Sequence, residues 1–319
     1  MDRVGRRPHQ AGVMAETTTP LSGPTTVPSF GDVPDVVARL RSTGYLADDA
    51  TATSTYLADR LGKPLLVEGP AGVGKTELAR AIAQATDAEL IRLQCYEGID
   101  EARALYEWNH AKQILHIQAT GNREWDDAKS DIFSDEFLLP RPLLKAISRS
   151  EPTVLLIDEV DKADVDMEGL LLEVLSDFAV TIPEMGTVAA TRRPVVLLTS
   201  NATRDLSEAL KRRCLYLYID FPEASREREI LASRVPGLSD ALAAELVRVV
   251  GVLRTLDIRK KPSVAETIDW ANTLLALGVG EQTGRAASTL DDGLIARTLG
   301  VVLKHRPDLK TALKELKLG

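Results

Sequence analysis

The sequence has few aromatic residues, only two cysteines and no long apolar run. Phe, Trp and Tyr make up 4% of the 319 residues. A core must therefore be built from Leu, Val, Ile and Ala, which suits helices packed on a buried parallel sheet. Cys95 and Cys214 stand far apart without CxxC spacing. This spacing favours two reduced, buried thiols over a metal or redox role.

No apolar stretch approaches the ~20 residues needed to span a bilayer. The charged residues at the start of the chain are not followed by the apolar segment of a signal peptide. We therefore expect a cytoplasmic protein with no membrane span. The chain also lacks a basic excess, since its net charge is −8 and its pI is near 5.2. This balance argues against nucleic acid as the main partner.

The composition divides the chain into three parts. Residues 1–29 are rich in Thr, Pro, Gly and Ser and are predicted to form a disordered tail, within which Met14 is an alternative start. Residues 30–222 alternate short apolar strands with amphipathic helices, which predicts an α/β domain. Residues 223–319 show only helical patterns and are predicted to form a smaller, all-helical lid domain.

Five apolar segments predict the strands of one parallel sheet sandwiched by helices. They are Pro64–Glu68, Glu89–Gln94, Thr153–Asp158, Pro194–Ser200 and Cys214–Asp220. The segment Phe178–Arg193 predicts a hairpin with its turn near 184–186. Residues 97–136 lack the regular alternation and are predicted to be partly helical. In the lid, helices are predicted over Asp240–Leu256, Pro262–Leu277 and Pro307–Leu316.

The strongest functional signal is the octapeptide Gly69-Pro70-Ala71-Gly72-Val73-Gly74-Lys75-Thr76, which fits the G-x-x-x-x-G-K-[ST] phosphate-loop motif. Its glycines allow the backbone N–H groups to surround phosphate oxygens, and the following helix adds the positive end of its dipole. Lys75 is predicted to reach the β- and γ-phosphates, and the Thr76 hydroxyl to bind Mg²⁺. Glu77, the next residue, is included in the predicted ATP site.

A second signal is a pair of acids that follows a buried strand. Asp158 ends the segment Thr153–Asp158, where it is predicted to hold Mg²⁺, and Glu159 is predicted to polarise the attacking water. Ligands gather at the carboxyl ends of parallel strands, so this pair belongs beside the phosphate loop. A solvated acidic loop is the alternative. Asp161 is expected to serve as a cap or a salt-bridge partner.

Two further positions are candidates for catalysis. Asn201 follows the fourth strand, where its amide would orient water or contact the γ-phosphate, although turn formation explains it equally well. Arg212 and Arg213 end a short helix before the fifth strand. One of them, Arg213 by preference, is predicted to act as an arginine finger toward a neighbouring subunit, and complementing the helix dipole is the alternative.

These four elements, in this order, resemble the AAA+ ATPases from about residue 30 to the C-terminus. The segment "LLVEGPAGVGKTELA" resembles the MoxR family. "CYEGIDEARALYEWN", "IDEVDKAD" and "ALKRRCLYLYIDFP" are similar to the CoxD-type ATPases, which assist carbon monoxide dehydrogenase maturation.

The resemblance implies a homo-oligomeric ring, usually hexameric, with a von Willebrand A domain partner and a metalloenzyme client. It also implies a basic residue on the lid that contacts the γ-phosphate, for which the candidates are Arg259, Lys260 and Lys261. The leading hypothesis is Mg²⁺-dependent ATP hydrolysis that remodels a partner protein. A DNA-linked AAA+ motor and a nucleotide-regulated binding module with little turnover are the alternatives.

Overall fold

The centre of the molecule is a five-stranded, all-parallel sheet with strand order β2-β5-β8-β1-β9. The computed structural model describes residues 29–120, 131–279 and 290–317. The predicted α/β fold is confirmed. The strands are β1 (Leu65–Glu68), β2 (Glu89–Gln94), β5 (Thr153–Asp158), β8 (Val195–Ser200) and β9 (Leu215–Tyr218).

The sheet is buried because its strands are apolar on both faces. All six residues of β5 are buried, as are five of the six residues of β8. Helices on each face supply two separate apolar clusters. Strands β2 and β5 have the bounds that the sequence predicts. Strands β1, β8 and β9 each begin one residue later than predicted, and β9 ends two residues earlier.

Helices of the α/β part flank the sheet, and most have polar N-caps. The helices are α1 (Val33–Ser42), α2 (Asp49–Leu61), α3 (Lys75–Ala85), α4 (Glu101–Ala104), α5 (His110–Thr120), α6 (Pro142–Ile147), α7 (Val165–Asp177) and α8 (Glu208–Arg213). In α2 the carboxylate of Asp48 accepts the Thr51 N–H, and Gly62 ends the helix with φ +60°. Such a polar N-cap and left-handed glycine are the ordinary start and stop signals of a helix.

Two small antiparallel sheets lie outside the central sheet. The predicted hairpin is present as β6 (Ala179–Ile182) and β7 (Gly186–Ala189). β3 (Tyr106–Trp108) pairs with β4 (Leu138–Pro140), and α4 and α5 agree with the partly helical prediction among the described residues of 97–136. Sequence periodicity misses the β3–β4 pair, since each strand has only three residues and its partner is 30 residues away.

The C-terminal part contains only helices among its described residues, and they enclose their own apolar core around Trp270. They are α9 (Ala224–Arg234), α10 (Asp240–Thr255), α11 (Val264–Ala276), α12 (Asp292–Thr298) and α13 (Arg306–Glu315). The sequence predicts α10, α11 and α13 and misses α9 and α12. The domain boundary near Pro222 stays a proposal, and the predicted tail, with Met14, falls almost wholly outside the described residues. Within the described ranges, no helix is long and apolar enough to cross a bilayer.

Candidate nucleotide site

The phosphate-loop segment lies between β1 and α3, and its glycines are required by close contacts. A Cβ built on Gly69 would lie 1.9 Å from the backbone oxygen of Ile219, and one on Gly72 would lie 2.4 Å from the Cβ of Ser263. Gly74 has φ +101° and forms the N-cap of α3 without a side chain to occupy that position. The loop therefore leaves the first N–H groups of α3 free for an anion.

Lys75 is the cation at the centre of this loop. Its Nζ donates to the carbonyls of Gly69 at 2.6 Å and Pro70 at 2.7 Å, and to Oδ1 of Asn201 at 2.8 Å. Burial lowers the pKa of Lys75, while the nearby carboxylates, Asp161 first, act in the opposite direction. The ammonium is held within reach of any phosphate that rests on the loop.

Asp158 and Thr76 meet across the end of β5. The Thr76 hydroxyl donates to Oδ1 of Asp158 at 3.0 Å, and Thr199 donates to the same oxygen. Arg92 on β2 pairs with the other oxygen, Oδ2. Asp158 is buried, with 3% of its surface exposed.

This oxygen pair fits Mg²⁺. A hydroxyl and a carboxylate are hard ligands, and Mg²⁺ in nucleotide sites takes one or two protein oxygens and completes its shell with phosphates and water. The described residues hold no cluster of three or more His, Cys, Asp or Glu that would make an all-protein metal site. Thr76 and Asp158 would therefore hold the ion together with the nucleotide.

Glu159 stands beside this pair in a backbone conformation that is uncommon for its residue type. Its φ is +55°, in the left-handed region, which costs a non-glycine residue about 1–2 kcal/mol. The Glu159 N–H donates to the Thr199 hydroxyl at 2.9 Å, and its Oε2 accepts from Nε2 of Gln94 at 3.1 Å. This conformation directs the Glu159 carboxylate toward the site. Strained backbone conformations of this kind are common at functional positions.

Asn201 lies within the site, because its amide oxygen contacts Lys75. The loop that carries it is held by Asp161, which accepts from the N–H groups of Asn201 at 3.3 Å and Thr203 at 3.0 Å. Burial alone would raise the pKa of Asp161, but the hydrogen bonds from Thr203 and Asn201 hold it below its ordinary value. The carboxylate of Asp161 thus fastens the loop after β8 and does not cap a helix.

The lid contacts the loop through small residues. Ser263 and Ala265, at the start of α11, are the lid residues nearest to Gly72. Within the predicted triplet, the side chain of Lys260 pairs with Glu266 at 2.8 Å, and the backbone N–H groups of Arg259 and Lys260 donate to Asp308. A γ-phosphate contact from Arg259, Lys260 or Lys261 stays a prediction.

Glu77 is the second point where the lid meets the loop. Its carboxylate pairs with Arg234 of α9 at 2.6 Å. The pair ties the first turn of α3 to the lid. The side chain of Glu77 is directed to the lid, and its place in the ATP site stays a prediction.

Arg212 and Arg213 lie at the amino ends of the strands, whereas the phosphate loop lies at the carboxyl ends. They line a cavity of about 370 Å³ with Lys63, Arg193 and the residues that lead into β1, whereas the phosphate loop follows the other end of β1. Nε of Arg213 donates to the Ser176 hydroxyl at 2.7 Å. The structure therefore does not bring Arg213 to the site of its own chain. Cys214 beside it is half-buried, not buried as predicted, while Cys95 is buried.

Three residues at the site were missed from the sequence, namely Arg92, Gln94 and Thr199. Arg92 and Gln94 are placed by the pairing of β2 with β5, in which they lie opposite Leu156 and Asp158, and Thr199 is placed by the pairing of β8 with β5. Two long polar side chains within the apolar segment "ELIRLQ" are the only sequence signal.

Comparison with known proteins agrees with this geometry. Residues 64–214 match the profile of the AAA domain, dynein-related subfamily. The chain is similar to chaperone protein ClpB 1 of Nostoc sp., with 34% identity over 139 residues, which are 43% of this chain and 13% of that protein. It is also similar to the negative regulator of genetic competence ClpC/MecB of Bacillus subtilis, with 25% identity over 218 residues, which are 67% of this chain and 24% of that protein.

The fold and the matched profile define the class, since residues 64–214 carry an AAA-type domain built on the parallel sheet. The chain spans only about an eighth to a quarter of the curated relatives named above. The matched profile spans the phosphate loop, the strand with its acidic pair, and Asn201.

Proposed function

We propose that this chain hydrolyses ATP with Mg²⁺ and uses the energy to remodel a partner protein. The observation that carries the proposal is the convergence of Lys75, Thr76, Asp158 and Asn201 at one edge of the sheet, with Glu159 beside them. Lys75 and Thr76 follow β1, Asp158 ends β5 with Glu159 after it, and Asn201 follows β8. Three neighbouring strands therefore supply one site.

In this proposal each residue has one task. The free N–H groups of the loop and Lys75 bind the β- and γ-phosphates, for which Lys75 gives up its bonds to the loop carbonyls. A bound Mg²⁺ would neutralise charge on the phosphates. Glu159 accepts a proton from the attacking water, and Asn201 keeps the water or the γ-phosphate in line. Gly69, Pro70, Ala71, Gly72, Val73, Gly74 and Glu77 form the surrounding ATP-binding loop.

The position of Arg213 supports a ring assembly. Its guanidinium lies at the amino ends of the strands, away from the phosphate loop, in a cavity lined by three further cations. These are Lys63, Arg193 and Arg212. If this cation acts in catalysis, the site that it serves must belong to another subunit. This supports a homo-oligomeric ring, with six subunits as the family resemblance implies, in which Arg213 completes the neighbour's site.

The finer role rests on sequence resemblance and on the relatives. Two of the proteins above are named as chaperones or regulators that share this domain, which supports remodelling. We extend the proposal to the MoxR family and the CoxD type, with a von Willebrand A domain partner and a metalloenzyme such as carbon monoxide dehydrogenase as client. Cytoplasmic location stays a prediction.

The first experiment replaces Glu159 by Gln and measures phosphate release and binding of a fluorescent ATP analogue. Loss of the base should lower turnover by about 10²–10⁴-fold with nucleotide binding retained. Glu173→Gln, on the exposed face of α7, is the matched control and should leave turnover unchanged. Equal turnover in E159Q and the wild type would contradict the role of Glu159.

The second experiment tests the ring. Arg213→Ala should lose turnover by about 10³–10⁵-fold, and Lys75→Ala should lose nucleotide binding. Each variant retains the part that the other lacks, so a mixture should hydrolyse ATP faster than the sum of the two alone. No gain on mixing would argue against action between subunits. Stimulation by DNA in the same assay would favour the DNA-linked motor, and binding without turnover in the wild type would favour the regulated module.

A further inference from the structure

Two polar side chains of β2 hold the two acids that follow β5. Nε of Arg92 lies 3.0 Å from Oδ2 of Asp158, and one terminal nitrogen lies 2.5 Å from the same oxygen. Gln94, two residues further along β2, donates to Glu159. Arg92 also donates to the amide oxygen of Gln94, so a continuous chain of hydrogen bonds joins Asp158 to Glu159.

Among the described residues, Arg92 is the cation that pairs with Asp158. The other oxygen of Asp158 accepts only hydroxyl groups, from Thr76 and Thr199. Lys75, the other cation of the site, bonds instead to loop carbonyls and to Asn201. A carboxylate with 4% of its side chain exposed requires such a partner, because an isolated buried charge is strongly unfavourable.

The two partners differ in their freedom to move. The side chain of Arg92 is 45% exposed, whereas that of Asp158 is 4% exposed and is fixed by two hydroxyls. A guanidinium at this exposure can turn into solvent at small cost. The carboxylate cannot follow it.

From this geometry we infer that Arg92 is the resident counter-ion of Asp158 and competes with the divalent metal for it. The inference rests on the proposed function, in which Asp158 holds the metal. One carboxylate cannot give its full charge both to a guanidinium and to a metal with its water shell. Arg92 therefore leaves Asp158 as the metal binds, and occupies it again when the metal departs.

A structural brace is the competing explanation, and it makes the opposite prediction. If Arg92 only positioned Asp158 for the metal, its removal would weaken metal binding. If it competes, its removal strengthens metal binding. The sign of one measured affinity separates the two.

The test measures Mn²⁺ binding to the full chain in the presence of ADP, with the protein in excess over ADP. Electron paramagnetic resonance gives the concentration of free Mn²⁺. Arg92→Met removes the charge and keeps the length of the side chain. We expect R92M to bind Mn²⁺ about tenfold more tightly than the wild type, the effect of removing one ion pair worth about 1.4 kcal/mol. R92K, which keeps a charge without the forked contact, should fall between them.

Arg149→Met is the matched control. Arg149 pairs with Glu89 at 2.8 Å, at the other end of the same strand, and is 29% exposed. R149M should bind Mn²⁺ as the wild type does. Weaker or unchanged Mn²⁺ binding in R92M would overturn the inference.

Thermal melting gives a second readout, independent of nucleotide turnover. Without metal, R92M should melt below the wild type because Asp158 has lost its counter-ion, and Mn²⁺ with ADP should raise its melting temperature by more than that of the wild type. If R92M does not fold, R92K carries the same test. An equal rise in melting temperature with Mn²⁺ and ADP in the wild type, R92M and R92K would also overturn the inference.

Asp158→Asn separates this inference from the proposed function. If D158N binds Mn²⁺ as the wild type does, Asp158 is not a metal ligand and the proposed function fails at that point. If D158N loses Mn²⁺ while R92M shows no gain, the metal site stands and only the competition by Arg92 is refuted.

Discussion

Replacing Arg254 by Met tests how the lid is held to the segment that joins it to the sheet. Arg254 of α10 donates to both carboxylate oxygens of Glu227 of α9, at 2.6 and 2.9 Å, and its Nε donates to the carbonyl of Pro262. The Thr267 hydroxyl of α11 donates to the same carboxylate. The guanidinium also lies 4.5 Å from the ring centroid of Phe221, at the boundary with the α/β part.

The magnitude follows from burial. The side chains of Arg254 and Glu227 are 11% and 1% exposed. Removing one partner of a buried pair leaves the other charge without compensation, which costs about 3–5 kcal/mol. The exposed pair of Arg248 with Glu245 on the same helix is the control, with Arg248 59% exposed, and Arg248→Met should cost about 0.5 kcal/mol or less.

The assay is urea unfolding followed by circular dichroism and tryptophan fluorescence. With a slope of about 3 kcal/mol per molar urea, R254M should move the midpoint down by about 1 M or more, and R248M should leave it nearly in place. The double variant Glu227→Leu with Arg254→Met should recover much of the loss, since both charges are gone. Equal midpoints for R254M and R248M would refute the reasoning.

Further predictions concern the loop, the acid limit and the thiols. Gly72→Ala should bind ADP about tenfold or more weakly, because the φ of Gly72 is +75° and the added Cβ would meet Ser263. The control Gly251→Ala, within α10 and with nothing within 4 Å of the added Cβ, should stabilise the fold by about 0.5–1 kcal/mol. Wild-type ADP affinity in G72A would contradict this. The pKa of Asp161 is lowered, so its stabilisation is complete above its unfolded value and is lost as pH falls through the folded value. Asp161→Asn should therefore cost about 1–3 kcal/mol at pH 7 and show a shallower loss of stability below about pH 4 in urea titrations; an unchanged acid slope would oppose it. Burial raises the pKa of Cys95 to about 12, so at pH 8 iodoacetamide should label it only in urea, as mass spectrometry can count; rapid labelling of the native chain would oppose this.

Local sequence determined the parts of this protein that depend on neighbours along the chain. The glycine spacing of 69–76 makes a loop with free N–H groups wherever a strand precedes it and a helix follows. Apolar runs made β2 and β5 readable to the residue, and Asp48 with Gly62 bounded α2. These signals act over a few residues, so they survive without any knowledge of the fold.

Only the tertiary structure decided which of these residues meet. The pairing of β2 with β5 places Arg92 on Asp158, 66 residues away, and no local pattern encodes a contact at that separation. The packing of α11 on the loop puts Ser263, and not a cation of the 259–261 triplet, against Gly72. Because β9 runs parallel to β1, Arg213 before β9 lies at the amino ends of the strands and Lys75 after β1 lies at the carboxyl ends. Each of these facts depends on how separate elements pack, because contacts between them are selected by the whole core and not by any single segment.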